Sequence, residues 1–139
     1  MDDEGLSALP RFPALRELMP MDVPDVGYRH IGRCRHLESL ILMYCRDTTD
    51  AATEHIAGLS ATLTSYFNSY TTVTDRTPEL LSTMDSLERI TFDTCHGLTN
   101  AGVAQLARLP GLRELHVSGR GVSPALRSAF GPGVRVSVG

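Results

Sequence analysis

The adjacent residues Cys95 and His96 form the first candidate site, because their side chains can bind metals or take part in catalysis. They are neighbours in the segment "LERITFDTCHGLTNAGVAQL". A thiol beside an imidazole can bind a metal ion or become a reactive thiolate. Metal binding needs further Cys or His residues at ligand spacing, and the sequence offers no second pair of that kind. We therefore expect no metal and no cofactor, and the 3 cysteines are too few for a disulfide scaffold.

A second candidate combines Asp93, His116 and Ser118, the residue types of a serine hydrolase. All three are predicted to lie on one face of a sheet. However, no strained turn presents the serine, and no glycine-rich loop supplies an oxyanion hole. A hydrolase is therefore only a remote alternative, and the sequence predicts a protein that is not an enzyme.

The elements that carry these residues repeat along the chain. The segment "LESLILMYCRDTTDAATEHIAGL" begins at Leu37, and "LERITFDTCHGLTNAGVAQLARL" begins at Leu87. The two align position by position, with a further unit between them, so each unit spans about 25 residues. We predict a single domain with these units: a partial repeat at 1–14, repeats at 15–36, 37–61, 62–86, 87–111 and 112–131, and a terminal edge strand at 132–139.

Each unit has a strand-like half and a helix-like half. The first half alternates apolar and polar residues, as a strand with one buried face does. The second half opens with Asp50, Asp75 or Asn100, which we expect to cap the start of a helix. Stacked units can bury both apolar faces in one parallel sheet with helices outside. The predicted fold is a right-handed α/β solenoid.

The pattern L-x-x-L-x-L-x-x-C, followed by L-T-N-A-G or T-T-D-A-A, resembles leucine-rich repeats. It is most similar to the cysteine-containing, ribonuclease-inhibitor-like class found in F-box substrate receptors. The resemblance covers residues 3 to about 122. It implies about five repeats, with the parallel sheet on the concave face and the helices on the convex face. It also implies that Cys45 and Cys95 are buried framework residues that help to close the turn after each strand.

The middle unit departs from the pattern. A strict period directs four residues into the core: Thr62, Ser65, Phe67 and Tyr70. A slip of one residue would instead bury Leu63, Tyr66 and Asn68, which exchanges every side chain between the two faces. We favour the strict period, because the slip buries an amide and disturbs the helix phasing.

The outward strand positions form the predicted partner-binding surface. Its apolar end comprises Met19, Met21, Ile41, Met43 and Tyr66, and its polar end comprises Arg89, Asp93, Glu114 and His116. A contiguous apolar patch on a solvent-facing sheet often marks an interaction site. The alternative is that another segment of the chain covers it. We also expect Arg89 and Glu114 to form a cross-strand ion pair, and His116 to face Thr91.

Charge and composition narrow the classes of partner. The net charge is −3, and the 13 basic residues, all arginine, are scattered. This argues against nucleic-acid or membrane binding. The arginine bias suggests a bacterial source, and we expect a cytoplasmic protein. The predicted function is a protein-interaction or scaffolding module with an unknown protein partner. The alternative is a structural or self-associating part of a larger repeat protein, a homodimer through the apolar patch or through an uncapped N-terminal edge.

Overall fold

A computed structural model describes residues 3–21 and 23–139, so positions 1, 2 and 22 of the first two predicted units lie outside the described residues. The strands are β1 (Glu17–Leu18), β2 (Ser39–Met43), β3 (Ser65–Ser69), β4 (Arg89–Asp93), β5 (Glu114–Val117) and β6 (Arg135–Val138). The α-helices of this part are α1 (Asp3–Ser7), α2 (Tyr28–Ile31), α3 (Asp50–Ile56), α4 (Arg76–Leu81) and α5 (Asn100–Val103). Short 3-10 helices cover Leu9–Arg11, Asp25–Gly27, Ala57–Leu59, Ala104–Arg108 and Pro124–Ala129.

The strands form one six-stranded sheet in chain order, and every neighbouring pair is parallel. Parallel neighbours need a connection that returns the chain to the same edge, and the short helices provide it. The predicted class, α/β with a parallel sheet, is confirmed. The alternating tail "VRVSV" pairs with β5 as an edge strand, as its pattern predicts.

One face of the sheet packs on the helices. Leu42, Phe92 and Val117 point from their strands into a core that also contains Ile56 and Leu106 of the helical side. Burial of one such side chain contributes about 1.5–3 kcal/mol, so these alternating positions hold the strands in register. The opposite side of the sheet is called the open face below. Its strand residues are Glu17, Ser39, Ile41, Met43, Ser65, Phe67, Ser69, Arg89, Thr91, Asp93, Glu114, His116, Arg135 and Ser137.

The strict period is wrong at β3. Leu40 pairs with Tyr66, and Leu42 pairs with Asn68. Leu63, Tyr66 and Asn68 are therefore buried residues, with at most 2% of their surface exposed. Tyr66, predicted for the partner-binding surface, belongs to the core, and Phe67 takes its place on the open face.

Two compensating length changes permit this register. Two residues separate Met84 from Leu87 at the entry to β4, whereas three separate Leu59 from Leu63 at the entry to β3. In this register Thr71 occupies the buried place that Cys95 occupies after β4, and the turn that follows is one residue shorter, with two residues between Thr71 and Thr74 where three lie between Cys95 and Thr99. The extra residue and the missing residue cancel, so the following helix keeps its phase.

Both polar atoms of the buried Asn68 amide have hydrogen-bond partners. Its Nδ2 donates to Tyr66 Oη at 2.7 Å, and its Oδ1 accepts from Thr71 Oγ1. Cys95 Sγ lies 3.5 Å from the Asn68 carbonyl oxygen and 3.6 Å from Oδ1. Because a buried polar group is costly only without partners, this network makes the slipped register stable.

The acidic residues at the helix starts act differently from the prediction. The caps of α3 and α5 are the preceding threonines, Thr49 and Thr99, whose hydroxyls accept from backbone N–H groups. Asp50 and Asp75 instead bind the threonine of the next unit, because a carboxylate matches the paired N–H and hydroxyl donors that this threonine presents. Their role is therefore to link neighbouring units.

This link recurs four times and is called the carboxylate ladder. Each carboxylate takes the backbone N–H of the next threonine on Oδ1 and its hydroxyl on Oδ2. Both distances fall between 2.5 and 2.9 Å for the pairs Asp25–Thr49, Asp50–Thr74 and Asp75–Thr99. The last rung uses an amide: Asn100 Oδ1 accepts from Ser123 N at 3.0 Å, and Asn100 Nδ2 donates to Ser123 Oγ at 2.9 Å.

Candidate functional site: the open face of the sheet

The apolar half of the open face is exposed to solvent. Met19 and Met21, which follow β1, keep 47% and 54% of their surface exposed. Ile41 and Met43 of β2 are partly exposed, and so is Phe67 of β3. These five residues are called the apolar patch. Solvent-facing strand positions are normally polar, so a patch of this composition is unusual on an uncovered sheet.

An aromatic pair extends the apolar surface at the carboxyl ends of the strands. Tyr44 follows β2 and Tyr70 follows β3, and their rings stack with centroids 5.1 Å apart at 16°. Both residues have φ of 57°, in the left-handed region, which is unfavourable for residues other than glycine, asparagine and aspartate. Tyr44 and Tyr70 are 60% and 40% exposed. Sequence reasoning missed this pair because the one-residue slip of β3 is what brings the two tyrosines to equivalent positions.

The polar half carries a row of alternating charges on successive strands. Arg89 Nε lies 3.9 Å from Glu114 Oε2, so the predicted cross-strand ion pair is confirmed. Glu114 Oε1 also lies 3.5 Å from Arg135 Nη1 of β6. Arg135 was missed because the terminal strand was assigned from its alternation without a register. His116 pairs with Thr91 across the strands, as predicted.

A shallow groove of about 240 Å³ runs along this half of the face. It is lined by Ser65, Tyr66, Phe67, Arg89, Ile90, Thr91, Glu114, Leu115, His116, Arg135 and Ser137. Its walls combine an aromatic ring, hydroxyl groups and two guanidinium groups. The groove therefore offers both apolar contact and donors for an anionic group.

The proposed hydrolase residues are connected in a different order from a catalytic triad. Ser118 Oγ donates to Asp93 Oδ1 at 3.1 Å and accepts from Thr94 N at 2.8 Å. A triad needs the imidazole between the serine and the carboxylate. In the described part of the chain, no hydrogen bond joins His116 to either residue. The serine and the aspartate instead close the turns that follow β4 and β5.

The cysteines lie in the framework below the open face. Cys45 and Cys95 are buried, and their thiols lie 3.5 and 3.6 Å from the carbonyl oxygens of Met43 and Asp93. Burial raises the pKa of Cys95, which keeps the thiol protonated and poorly nucleophilic. His96 is exposed, and its Nδ1 accepts from Arg120 N at 3.2 Å. Among residues 3–21 and 23–139, no group of three or more potential ligands is placed to hold a metal ion.

Comparison of the chain with protein-family models and with curated proteins gives no match. In the described part of the chain, no helix has the length and apolarity that a membrane crossing needs. The candidate site therefore depends on the geometry of the open face itself.

Proposed function

We propose that this chain is a leucine-rich-repeat solenoid that binds another protein through the open face of its sheet. The observation that carries the proposal is the apolar patch. Exposed methionines adapt to the shape of a partner, and exposed apolar patches frequently mark interaction sites. The sequential parallel strand order and the recurring carboxylate ladder support the repeat assignment.

The binding role assigned to the face needs no chemistry of its own. Ile41, Met43 and Phe67 supply apolar contact, and the neighbouring groove supplies polar contacts. The sheet presents these side chains on strands whose other face is buried in the core, so the surface is preorganised and little ordering is required on binding. This favours a binding module over an enzyme.

The test is affinity capture from an extract with wild-type and variant chains. Ile41→Asp and Met43→Asp each place a charge in the apolar patch and should remove the captured partner, because an unpaired charge at an apolar interface loses its hydration. Ala51→Asp is the matched control, since Ala51 is an exposed apolar residue on α3, on the helical side. A partner retained by both patch variants would contradict the proposal.

The second candidate is self-association through the same patch, within a larger repeat assembly. Met19 and Met21 favour it because they lie next to β1, the first strand of the sheet. In that case Met43→Asp would change the molar mass of the chain in solution and would leave no foreign partner to lose.

A further inference from the structure

The polar half of the open face concentrates positive charge around a single carboxylate. Arg89 and Arg135 lie on β4 and β6, and both approach Glu114 on the strand between them. Arg113 immediately precedes β5 and pairs with Glu88 at 3.4 Å. At the amino-terminal ends of β4 to β6, three guanidinium groups thus face two carboxylates, which leaves one net positive charge there, in a chain whose net charge is −3.

The two arginines that flank Glu114 are weakly committed to it. Their distances of 3.9 and 3.5 Å exceed the 2.7–3.2 Å of a good N–H···O bond. Their side chains are 54% and 83% exposed. A guanidinium group carries five N–H donors, so most donors of both arginines point to solvent. Two such groups on alternate strands can bind one further carboxylate between them.

The other titratable groups of this region leave that position open. Asp93, the acidic residue at the end of β4, accepts from Ser118 Oγ and from Thr94 Oγ1. His116 lies two residues after Glu114 on β5. It pairs with Thr91 across the strands and lines the groove. Neither side chain is bonded to Arg89 or Arg135 in the described residues.

The apolar patch and the arginines lie on one path across the sheet. Neighbouring strands are about 4.8 Å apart and Ile41 lies two residues further along its strand than Glu114 does, so the two positions on β2 and β5 are separated by about 16 Å. An extended chain covers that distance in about four to five residues. A segment that crosses the strands can therefore contact Ile41 and Phe67 with apolar side chains and reach the arginines with a carboxylate.

We propose that the partner contributes an extended segment with apolar residues followed, about four residues later, by one or more carboxylates that bind between Arg89 and Arg135. This inference rests on the proposed function of the open face. Glu114 serves in it as the group that orients both guanidinium groups and competes with the incoming carboxylate.

The test is an NMR titration of the isotope-labelled chain with a short synthetic peptide. The probe has two leucines followed by two glutamates at that spacing, and its counterpart has glutamines in place of the glutamates. We expect the glutamate probe to shift the arginine Nε signals and the amides of β4 to β6, and to bind about threefold to tenfold more tightly than the glutamine counterpart. Added salt should remove the difference.

The variants should move the affinity in opposite directions. Arg89→Gln and Arg135→Gln each weaken binding of the glutamate probe about threefold, whereas Glu114→Gln strengthens it by a similar factor because the competing carboxylate is gone. Arg108→Gln, an exposed arginine on the helical side, is the matched control and leaves the affinity unchanged. Because all these side chains are exposed, each variant should keep the wild-type melting temperature, which is checked first.

Three outcomes would overturn the inference. Equal affinity for the two probes would show that no carboxylate of the probe binds between the arginines. A Glu114→Gln variant that weakens binding, as Arg89→Gln does, would show the same. Stronger binding of a phosphoserine version than of the glutamate probe would assign the arginines to a phosphorylated segment instead. In each case, loss of the captured partner in Met43→Asp would still support binding at the apolar patch, so the two proposals fail separately.

Discussion

Asp50 is the rung of the carboxylate ladder with the most contacts, and its removal is a quantitative test of how the units are joined. Its carboxylate accepts from Thr74 N at 2.9 Å, from Thr74 Oγ1 at 2.6 Å and from Thr77 Oγ1 at 2.7 Å. A hydrogen bond to a charged group contributes about 1.5–3 kcal/mol. The two Thr74 donors are exposed and can bind water instead, whereas Thr77 is fully buried.

Asp50→Ala should therefore lower the free energy of unfolding by about 2 kcal/mol, mostly through Thr77. For a chain of this size, that corresponds to a fall of about 6–8 °C in melting temperature. Asp50→Asn should lower it by at most about 1 kcal/mol, which includes the lost charge at the helix start. The reason is visible at Asn100, where an amide makes the same two-point contact with Ser123.

The assay is urea denaturation followed by circular dichroism. Asp47→Ala is the control, because Asp47 is an exposed carboxylate in the turn before α3 and should change the free energy of unfolding by less than about 0.5 kcal/mol. Equal losses for Asp50→Ala and Asp50→Asn would show that charge, and not the paired hydrogen bonds, joins the units. A loss no larger than that of the control would refute the ladder as a source of stability.

Three further predictions follow from the core and the turns. Tyr66→Ala should destabilise the fold by about 3–5 kcal/mol and Phe67→Ala by less than about 1.5 kcal/mol, and the reverse order in denaturation experiments would restore the strict register. Burial raises the pKa of Tyr28 and Tyr66 well above the usual phenol value of about 10, so the folded state keeps protons that the unfolded chain loses. The contribution of these two tyrosines to the free energy of unfolding should therefore be fully present below about pH 10 and be lost as the pH rises beyond it. The loss should be smaller in Tyr28→Phe. A urea midpoint that does not change with pH up to about pH 11 would contradict this prediction. Thr94 has φ of 54°, so Thr94→Gly should increase the free energy of unfolding by about 1 kcal/mol and raise the melting temperature. A lower melting temperature would show that the side-chain contacts of Thr94 outweigh the backbone strain.

The alternation of strands and helices could be predicted from the sequence because each unit repeats the same local signals. Leu37 and Leu87 begin nearly identical patterns, and Thr-Asp or Thr-Asn marks the starts of α3, α4 and α5. These signals are local and agree with one another, so the parallel order follows from them. The final strand could also be predicted, since its alternation stands alone after a turn.

The register of β3 could not be predicted from the period, because it depends on partners that are distant in sequence. Asn68 looks unfit for a core position until its contacts with Tyr66, Thr71 and Cys95 are known. The compensating residue in the preceding turn is likewise invisible to a fixed period. The wrong register of this strand therefore assigns Tyr66 to the open face and Phe67 to the core.

The candidate site was predicted in part for the same reason. Ile41, Met43, Arg89 and Glu114 were placed correctly because their strands follow the regular pattern. Arg135 could not be placed, since the pairing of a terminal strand depends on the length of the turn before it. The use of aspartates between units could not be predicted either, because a helix cap and an inter-unit link require the same residue type.

The most direct test of the account is the absolute molar mass of the chain by light scattering over a range of concentrations. If the apolar patch is free for a different protein, the chain is a monomer of 15.1 kDa at every concentration, and Met43→Asp leaves that mass unchanged. A dimer that forms as the concentration rises, and that Met43→Asp abolishes, would assign the patch to a second copy of the chain and contradict the proposed function.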